Sequence, residues 1–482
     1  MAASVIEQQP PFTILPVGQP IIFSISNTQI VSTQSKVKFI AEVHVSFVSP
    51  PNLSSTTHLI GIFKTTPNNA GVGMFDFSPI VQNYVNSDVY PRESKQVIAD
   101  ATANNPTYYE TEYNPTTYNF PIQFIDKFSL NTSTILLLKI RFKTEYLGAA
   151  VGSPNLVEVD NTTYVDTGTF KVWNGFVDRD SDMFVESTGD FGFYWQNKFQ
   201  VSSTGQVFLT NAPTTQSCNL KDFMTLSFLT QNSGSATNAS YIRFTVNGND
   251  GSTTQFSVNR TDANGAFTNW SLKSYFLLLH VGVGPANLNG WSSTFQTLVT
   301  NGKVKGGSID IQLYNPNDET ASPLYKLNII CVEPKGYETI SLCWLNQWGG
   351  WDYFTFTKKS IKTINTTRTN YNQLQGTWDK TQYNINDVRG GTRAFKNNAI
   401  QRIQINTDFV NSDHNLMFEI LQNSPEVYIM KDSDVGTTYL NSMLQAVRLT
   451  NSSFTTKTIA NNKLIQYTFE IELSRKLNTQ LI

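Results

Sequence analysis

Cysteine and histidine are scarce in this sequence of 482 residues. The cysteines are Cys218, Cys331 and Cys343. They are too few and too widely spaced for a disulfide framework or a zinc site, so we expect buried free thiols. The histidines are His44, His58, His280 and His414, and none lies in a known catalytic motif. This poverty of titratable groups argues against an enzyme, and we expect no catalytic residue, no cofactor and no metal.

Charge is also sparse, at 15% of the chain, with 35 basic residues against 37 acidic ones. Phosphate binding needs clustered Lys and Arg, so we expect no direct nucleic-acid contact. No apolar run approaches the roughly 18 residues of a membrane-spanning helix, so we expect no membrane span. Residues 1–11 lack the basic and apolar regions of a signal peptide, so we expect synthesis in a cytoplasm.

Because charged residues are few, uncharged polar and aromatic residues make up much of the chain, and aromatics alone reach 12%. Thr, Tyr, Phe and Val favour strands, whereas surface helix formers are few. Residues 37–47 alternate apolar and polar side chains, as a half-buried strand does, and Asn247-Gly248 suits a tight hairpin. Short helices are predicted near residues 79–85 and 413–423. The chain is therefore predicted to be all-β: a multi-domain chain of antiparallel β-sandwiches with a few short helices.

The length predicts roughly three large domains, at about 150 residues each. We predict an N-terminal arm at 1–19, a β-sandwich at 20–150, a connecting β layer at 151–215, a β-sandwich at 216–365 and a C-terminal β-rich domain with one helix at 366–482. The Pro-rich arm cannot fold alone, yet it carries Phe12 and Leu15. We expect Phe12 and Leu15 to be interface or core anchors, and the arm to dock on a neighbouring subunit.

The densest aromatic cluster lies in residues 342–356 and contains Trp344, Trp348 and Trp351. Tryptophans stack on sugars, but they also anchor cores and subunit interfaces. Strand-forming Leu, Tyr and Phe residues surround them, so we predict that all three are interface or core anchors. Carbohydrate binding is the alternative.

One segment offers carboxylates at the spacing of a metal loop, namely Asp178, Asp180 and Asp182. In an EF-hand loop that began at Asp178, the sixth position would be Gly and the twelfth Glu. The sequence has Met183 and Gly189 there. We therefore predict a solvated turn, with calcium binding between loops as the alternative.

Three segments carry a pattern that spans most of the chain. The first joins residues 20–23, the alternating strand at 37–47, residues 73–85 and residues 140–146; the second is residues 344–356 and the third is residues 419–428. In order and spacing they resemble the virion structural proteins, associated with the tail or collar, of low-GC bacteriophages that infect Bacteroidota, such as flavobacterial and crAss-like phages. The resemblance implies a structural role and no catalytic residue.

We therefore expect a non-enzymatic structural component of a virus particle, a bacteriophage tail, collar or ring protein that is made in the host cytoplasm and acts by subunit assembly in the virion. Its partners would be other virion structural proteins and further copies of itself, because a weakly charged surface suits repeated subunit contacts. One alternative is a receptor-binding or spike protein that binds a host surface receptor. A second is a polysaccharide-acting or carbohydrate-binding protein.

Overall fold

A computed structural model describes residues 4–10, 13–47, 50–85, 128–130, 135–150, 153–176, 208–231, 241–259, 276–315, 317–330, 337–378, 381, 383–384, 390–430, 444–458, 465–475 and 477–478. The chain forms two compact units. Unit 1 comprises Met1–Cys331 and Leu345–Asp352, and unit 2 comprises Val332–Trp344 and Tyr353–Ile482. As predicted, the fold is mostly β, with several antiparallel sheets and a few short helices.

The strands before residue 331 are β1 Val5–Gln8, β2 Ile14–Pro16, β3 Ile22–Ser26, β4 Ser35–Ser46, β5 Leu59–Thr65, β6 Val72–Asp76, β7 Phe128–Leu130, β8 Ile135–Ala150, β9 Ser153–Asp166, β10 Phe170–Trp173, β11 Thr215–Cys218, β12 Thr225–Gln231, β13 Tyr241–Asn247, β14 Thr253–Asn259, β15 Phe276–Gly282, β16 Ser308–Tyr314 and β17 Tyr325–Ile329. Those after it are β18 Ile340–Leu345, β19 Trp351–Phe356, β20 Ile361–Gln373, β21 Thr377–Trp378, β22 Tyr383–Asn384, β23 Gly391–Asn406, β24 Val427–Met430, β25 Leu444–Leu449, β26 Thr468–Leu473 and β27 Leu477–Asn478. The helices are α1 Thr28–Thr33, α2 Ser78–Val81, α3 Pro285–Trp291, α4 Ser293–Thr300 and α5 Asn415–Asn423.

The first part of unit 1 is a β-sandwich. A sheet in the order β1-β3-β6 packs on a larger sheet in the order β2-β10-β8-β4-β5, in which β9 also pairs with β8. The rings of Phe23 and Phe75 lie 5.8 and 5.7 Å from the ring of Phe142 in the core between the sheets. The predicted polar face of β4 is wrong at Ile40 and His44, which are buried too. β4 lies between β5 and β8, so strand neighbours flank it on both sides.

Two further sheets complete unit 1, in the orders β11-β17-β16-β13-β14 and β12-β15-β7. β13 and β14 pair from Tyr241↔Asn259 to Asn247↔Thr253, which confirms the hairpin predicted from Asn247-Gly248. The positive φ of its turn is at Gly251, at 78°, because the loop has five residues rather than two. α2 and α5 match predicted helices, whereas α3 and α4 were not predicted.

Unit 2 is built on one sheet in the order β19-β18-β24-β25-β26-β23-β20, with β27 also paired to β23. α5 buries Met417, Phe418 and Leu421, which lie on one face at helical spacing. The ring of Phe418 lies 5.6 Å from the ring of Phe469 on β26. This aromatic contact joins the helix to the sheet.

The N-terminal arm pairs with strands of its own chain, so the expectation that it docks on a neighbour is wrong for the described residues. β1 pairs antiparallel with β3, and β2 pairs parallel with β10. Leu15 is 2% exposed in the sandwich core. Phe12 lies outside the described residues. The arm extends a sheet of its own subunit, because β2 supplies hydrogen-bond partners to the edge of β10.

The predicted boundary between residues 365 and 366 is also wrong, because it cuts through β20. β9 and β10, assigned by the sequence to a connecting layer, are strands of the first sandwich. The pairing of β20 with β23 and of β10 with β2 joins residues far apart in sequence, which a local pattern does not reveal.

Candidate assembly interface

β20 and β23 form a long antiparallel ribbon at the edge of the unit 2 sheet. Their pairing runs from Ile361↔Gln404 to Gln373↔Gly391. β20 has 13 residues, a length of about 40 Å at roughly 3.3 Å per residue. Among the described strands, only β23 pairs with β20. The outer edge of β20 therefore presents backbone N–H and C=O groups that can accept a further strand.

The ribbon continues beyond the rest of its sheet. β26 pairs with β23 only over Arg402–Asn406, and β27 pairs with it only at residues 398 and 399. The remainder, residues 368–373 and 391–397, forms the distal ribbon, which has two strands in the described structure. An isolated two-stranded ribbon is marginally stable in water. This segment therefore gains most from an additional partner.

Side chains along β20 are exposed, and several exposed side chains of the ribbon are apolar. Every residue from 361 to 372 is exposed. Ile364 is 58% exposed and Phe395 is 53% exposed, and the ring of Tyr371 lies 6.4 Å from that of Phe395. Exposed apolar groups on a projecting ribbon are typical of a contact surface.

The ribbon strands are basic and contain no Asp or Glu. Their charged residues are Lys362, Arg368, Arg393, Lys396 and Arg402. Near the start of β20, Lys362 Nζ lies 2.5 Å from Glu338 Oε2. The acidic residues thus lie around the base of the ribbon, and the distal ribbon carries only positive charge.

A cross-strand charge cluster fixes the base of β23. Glu472 is the register partner of Arg402 on one side and of Arg448 on the other. Its Oε2 accepts from Arg402 Nε at 3.1 Å, and its Oε1 accepts from Arg448 Nη2 at 2.6 Å. Burial raises the pKa of Glu472, but the hydrogen bonds from Arg448 and Arg402 outweigh it and hold the pKa below its usual range. The charges stabilise the point where the ribbon leaves the sheet.

The tryptophan loop, Leu345–Asp352 of unit 1, is held by buried polar groups. Asn346 Oδ1 accepts from the N–H groups of Trp348 and Gly350 at 3.0 and 2.9 Å. Its Nδ2 donates to the Leu209 carbonyl at 2.9 Å and to Asp352 Oδ1 at 3.0 Å. One buried amide thus uses its full bonding capacity to shape the loop.

Asp352 is the second centre of this network, and its side chain is buried. It accepts from the Thr210 hydroxyl, from the Asn211 N–H at 3.1 Å and from Asn346. Burial raises the pKa of Asp352 to about 6, although these hydrogen bonds oppose the shift. The partners are a hydroxyl and amides, so the geometry orders the loop and offers no acid-base pair.

The three predicted tryptophans are all buried. Trp344 is 0% exposed, Trp348 is 6% exposed and Trp351 is 2% exposed. Trp348 belongs to a core cluster of unit 1 with Trp173. A Cβ at Gly350 would collide with the Leu209 carbonyl, so the backbone of the loop packs closely as well. None of the three rings offers a face for a sugar.

The cysteines and histidines considered in the sequence analysis belong to neither the ribbon nor the tryptophan loop. Cys218 and Cys343 are free and buried, as predicted, and burial raises the pKa of both thiols. Cys331 lies outside the described residues. His280 is buried with Nδ1 at 2.7 Å from Ser227 Oγ, and burial lowers its pKa to about 3.

The predicted turn at Asp178, Asp180 and Asp182 lies outside the described residues, so calcium binding there stays a prediction. Within the residues that the structure describes, no group of three or more His, Cys, Asp or Glu side chains could hold a metal ion. Among the described helices, none has the length and hydropathy needed to cross a membrane.

The sequence predicted neither the ribbon, apart from residues 400–405, nor the network at Asn346 and Asp352. β20 has almost no apolar alternation, because both of its faces are exposed. Two features of the sequence could have indicated the ribbon. Residues 361–373 are rich in the strand formers Thr, Ile and Tyr, and Gly390-Gly391 lies at the start of the second strand.

Comparison with known proteins identifies no family. No protein-family model and no curated protein matches the chain. Among solved structures, the native conformation of E. coli alpha-2-macroglobulin is 7% identical with a TM-score of 0.16, and the match covers 84% of this chain and 22% of that chain. Salmonella alpha-2-macroglobulin reacted with methylamine is 8% identical with a TM-score of 0.16, covering 99% of this chain and 30% of that one. The chain thus spans less than a third of either protein, and similarities this weak carry no functional argument.

Proposed function

We propose that this chain is a structural component of a bacteriophage particle, in the tail, collar or ring, and that it works by subunit assembly. It is made in the host cytoplasm and ends in the virion. Its partners are further copies of itself and other virion structural proteins. The resemblance of the three segments, residues 20–23 with 37–47, 73–85 and 140–146, residues 344–356 and residues 419–428, to phage virion proteins supports this role.

The observation that carries the proposal is the ribbon of β20 and β23. It has exposed side chains along β20, a free outer strand edge among the described residues and a distal part of two strands. Such a segment contributes little core to its own subunit. Backbone pairing and side-chain burial against a neighbour would stabilise it.

The burial of Trp344, Trp348 and Trp351 supports assembly over carbohydrate binding. A sugar site needs an aromatic face open to solvent, and these three rings are used in packing. The ribbon also has exposed apolar side chains, among them Ile364 and Phe395.

The first test is the composition of the particle. Virus particles purified from a lysate that carries the gene should contain the chain at a fixed stoichiometry with the major structural proteins, measured by quantitative mass spectrometry. Antibody labelling in electron micrographs should place it at the tail, collar or ring. Particles that lack the chain would overturn the proposal.

The second test is sedimentation of the purified chain. The triple variant Ile364→Ser, Tyr371→Ser and Phe395→Ser removes exposed apolar side chains from the ribbon, so its sedimentation coefficient should fall toward that of a monomer. The matched control is Ile62→Ser with Met74→Ser and Val157→Ser, which removes three exposed apolar side chains from unit 1. Equal effects of the two variants would exclude the ribbon as the contact surface.

A further inference from the structure

We propose that the outer edge of β20 pairs antiparallel with β20 of a second copy of this chain, on a two-fold axis at Thr367. The inference deepens the proposed function and rests on it for its biological purpose. It specifies the partner, the register and the residue on the axis.

The occupant of a free strand edge is another strand, because only a strand matches a row of alternating N–H and C=O groups. β20 lacks the devices that block such pairing. It contains no proline, and its only charged residues are Lys362 and Arg368. The ribbon has one bulge, where Thr369 pairs with Lys396 and Asn370 with Ala394. Its extra residue is Phe395 on β23, so β20 itself stays regular.

The register follows from symmetry and charge. A two-fold axis relates a residue of β20 to the same residue of the second copy, and the axis at Thr367 pairs all 13 residues. Lys362 then faces Asn372, and Arg368 faces Thr366. With the axis at Asn365, Lys362 would face Arg368, which like-charge repulsion disfavours. The register with the greatest overlap is therefore free of directly opposed charges.

Full overlap also places the distal ribbon of each copy, whose charged residues are all basic, beside the base of the other ribbon. Glu338 lies at that base, where its half-exposed side chain forms an ion pair with Lys362 of its own chain. Thr363 faces Tyr371 of the second copy in this register, and a β-branched residue opposite an aromatic is a favourable cross-strand pair.

Cross-linking tests the register directly. Residues directly opposite in an antiparallel pair have Cα atoms about 4.5–5.5 Å apart, within the range of a disulfide. The variant Thr367→Cys should therefore form a covalent dimer under mild oxidation, seen by non-reducing electrophoresis. Thr363→Cys is the matched control, because the two copies of residue 363 would lie roughly 25 Å apart at about 3.3 Å per residue. Combining Thr363→Cys with Tyr371→Cys should restore the cross-link.

Repulsion provides an independent test. Thr367→Lys places two ammonium groups on the axis, and we expect the dissociation constant of the dimer to rise at least tenfold by analytical ultracentrifugation. Thr56→Lys, a similarly exposed threonine in unit 1, should leave it unchanged. Circular dichroism checks that both variants keep the β spectrum.

The outcomes separate this inference from the proposed function. If the chain self-associates but Thr367→Cys does not cross-link and Thr367→Lys does not dissociate it, the β20 pairing is wrong and assembly through another surface stands. If Thr367→Cys cross-links but virus particles lack the chain, the pairing stands and the proposed function falls.

Discussion

The tryptophan loop and β20 both contain asparagine, yet the fold buries the side chain of Asn346 in the loop and exposes that of Asn365 in β20. In the loop, Asn346 makes four hydrogen bonds and Asp352 accepts three. In β20, Asn365 and Thr367 are exposed, and neither side chain has a hydrogen-bond partner in the described structure. Asparagine thus serves opposite purposes in the two regions.

The difference shows what burial of polar groups requires. A polar side chain enters a core without a large cost only when donors and acceptors match it. The ribbon has no such matching within the subunit, so its polar groups stay available to solvent or a partner. Substitutions in the loop should therefore change folding stability, and substitutions in the ribbon should change association.

The largest effect is expected for Trp351→Ala. Trp351 is 2% exposed, so removing its ring should cost about 3–5 kcal/mol of unfolding free energy. Urea denaturation followed by fluorescence measures this change. Tyr371→Ala in the ribbon is the matched control and should change stability by less than about 0.5 kcal/mol. A stable Trp351→Ala protein that only lost glycan binding would refute the packing role.

The next effect is expected for Asn346→Ala, which leaves the N–H groups of Trp348 and Gly350 without an acceptor. We expect a loss of about 2–4 kcal/mol, because each unsatisfied buried group costs about 1–3 kcal/mol. Asn365→Ala, which changes an exposed asparagine of β20, is the matched control. Equal unfolding midpoints for both variants would show that the loop network does not stabilise the fold.

A pH-dependent effect is expected from Asp352. Its pKa is about 6 in the folded chain against 3.8 unfolded, so the folded state binds the proton more tightly. The contribution of this group to stability is present below pH 4 and is lost as the pH rises through 6. The loss is about 3 kcal/mol at 1.36 kcal/mol per pKa unit.

Thermal unfolding of the wild type and Asp352→Asn between pH 4 and 7.5 measures this effect, because contributions of other carboxyl groups cancel in the difference. The stability of the wild type relative to the variant should fall over that range. A difference that does not change with pH would show that Asp352 does not titrate there.

The smallest effect is expected for metal removal. We expect EDTA to leave the melting temperature unchanged, because neither the loop nor the ribbon uses a metal ligand set within the described residues. A decrease that Ca²⁺ reverses and Asp180→Ala abolishes would instead identify residues 178–182 as a calcium site.

Local patterns predicted the parts of this fold that depend on local chemistry. The alternation in residues 37–47 predicted β4, and the apolar stripe near residue 417 predicted α5. The scarcity of cysteine predicted free thiols, and both described cysteines are free and buried. These features were accessible because side-chain period and backbone propensity act over a few residues.

The sequence by itself determined that the chain is mostly β and where many strands lie. Only the tertiary structure decided that the N-terminal arm completes sheets of its own subunit, that His44 on a predicted polar face is buried, and that Asp352 lies in a core. It also decided that β20 has a single strand partner among the described residues. The physical reason is that strand pairing and burial depend on residues far apart in sequence, whose positions no local pattern specifies.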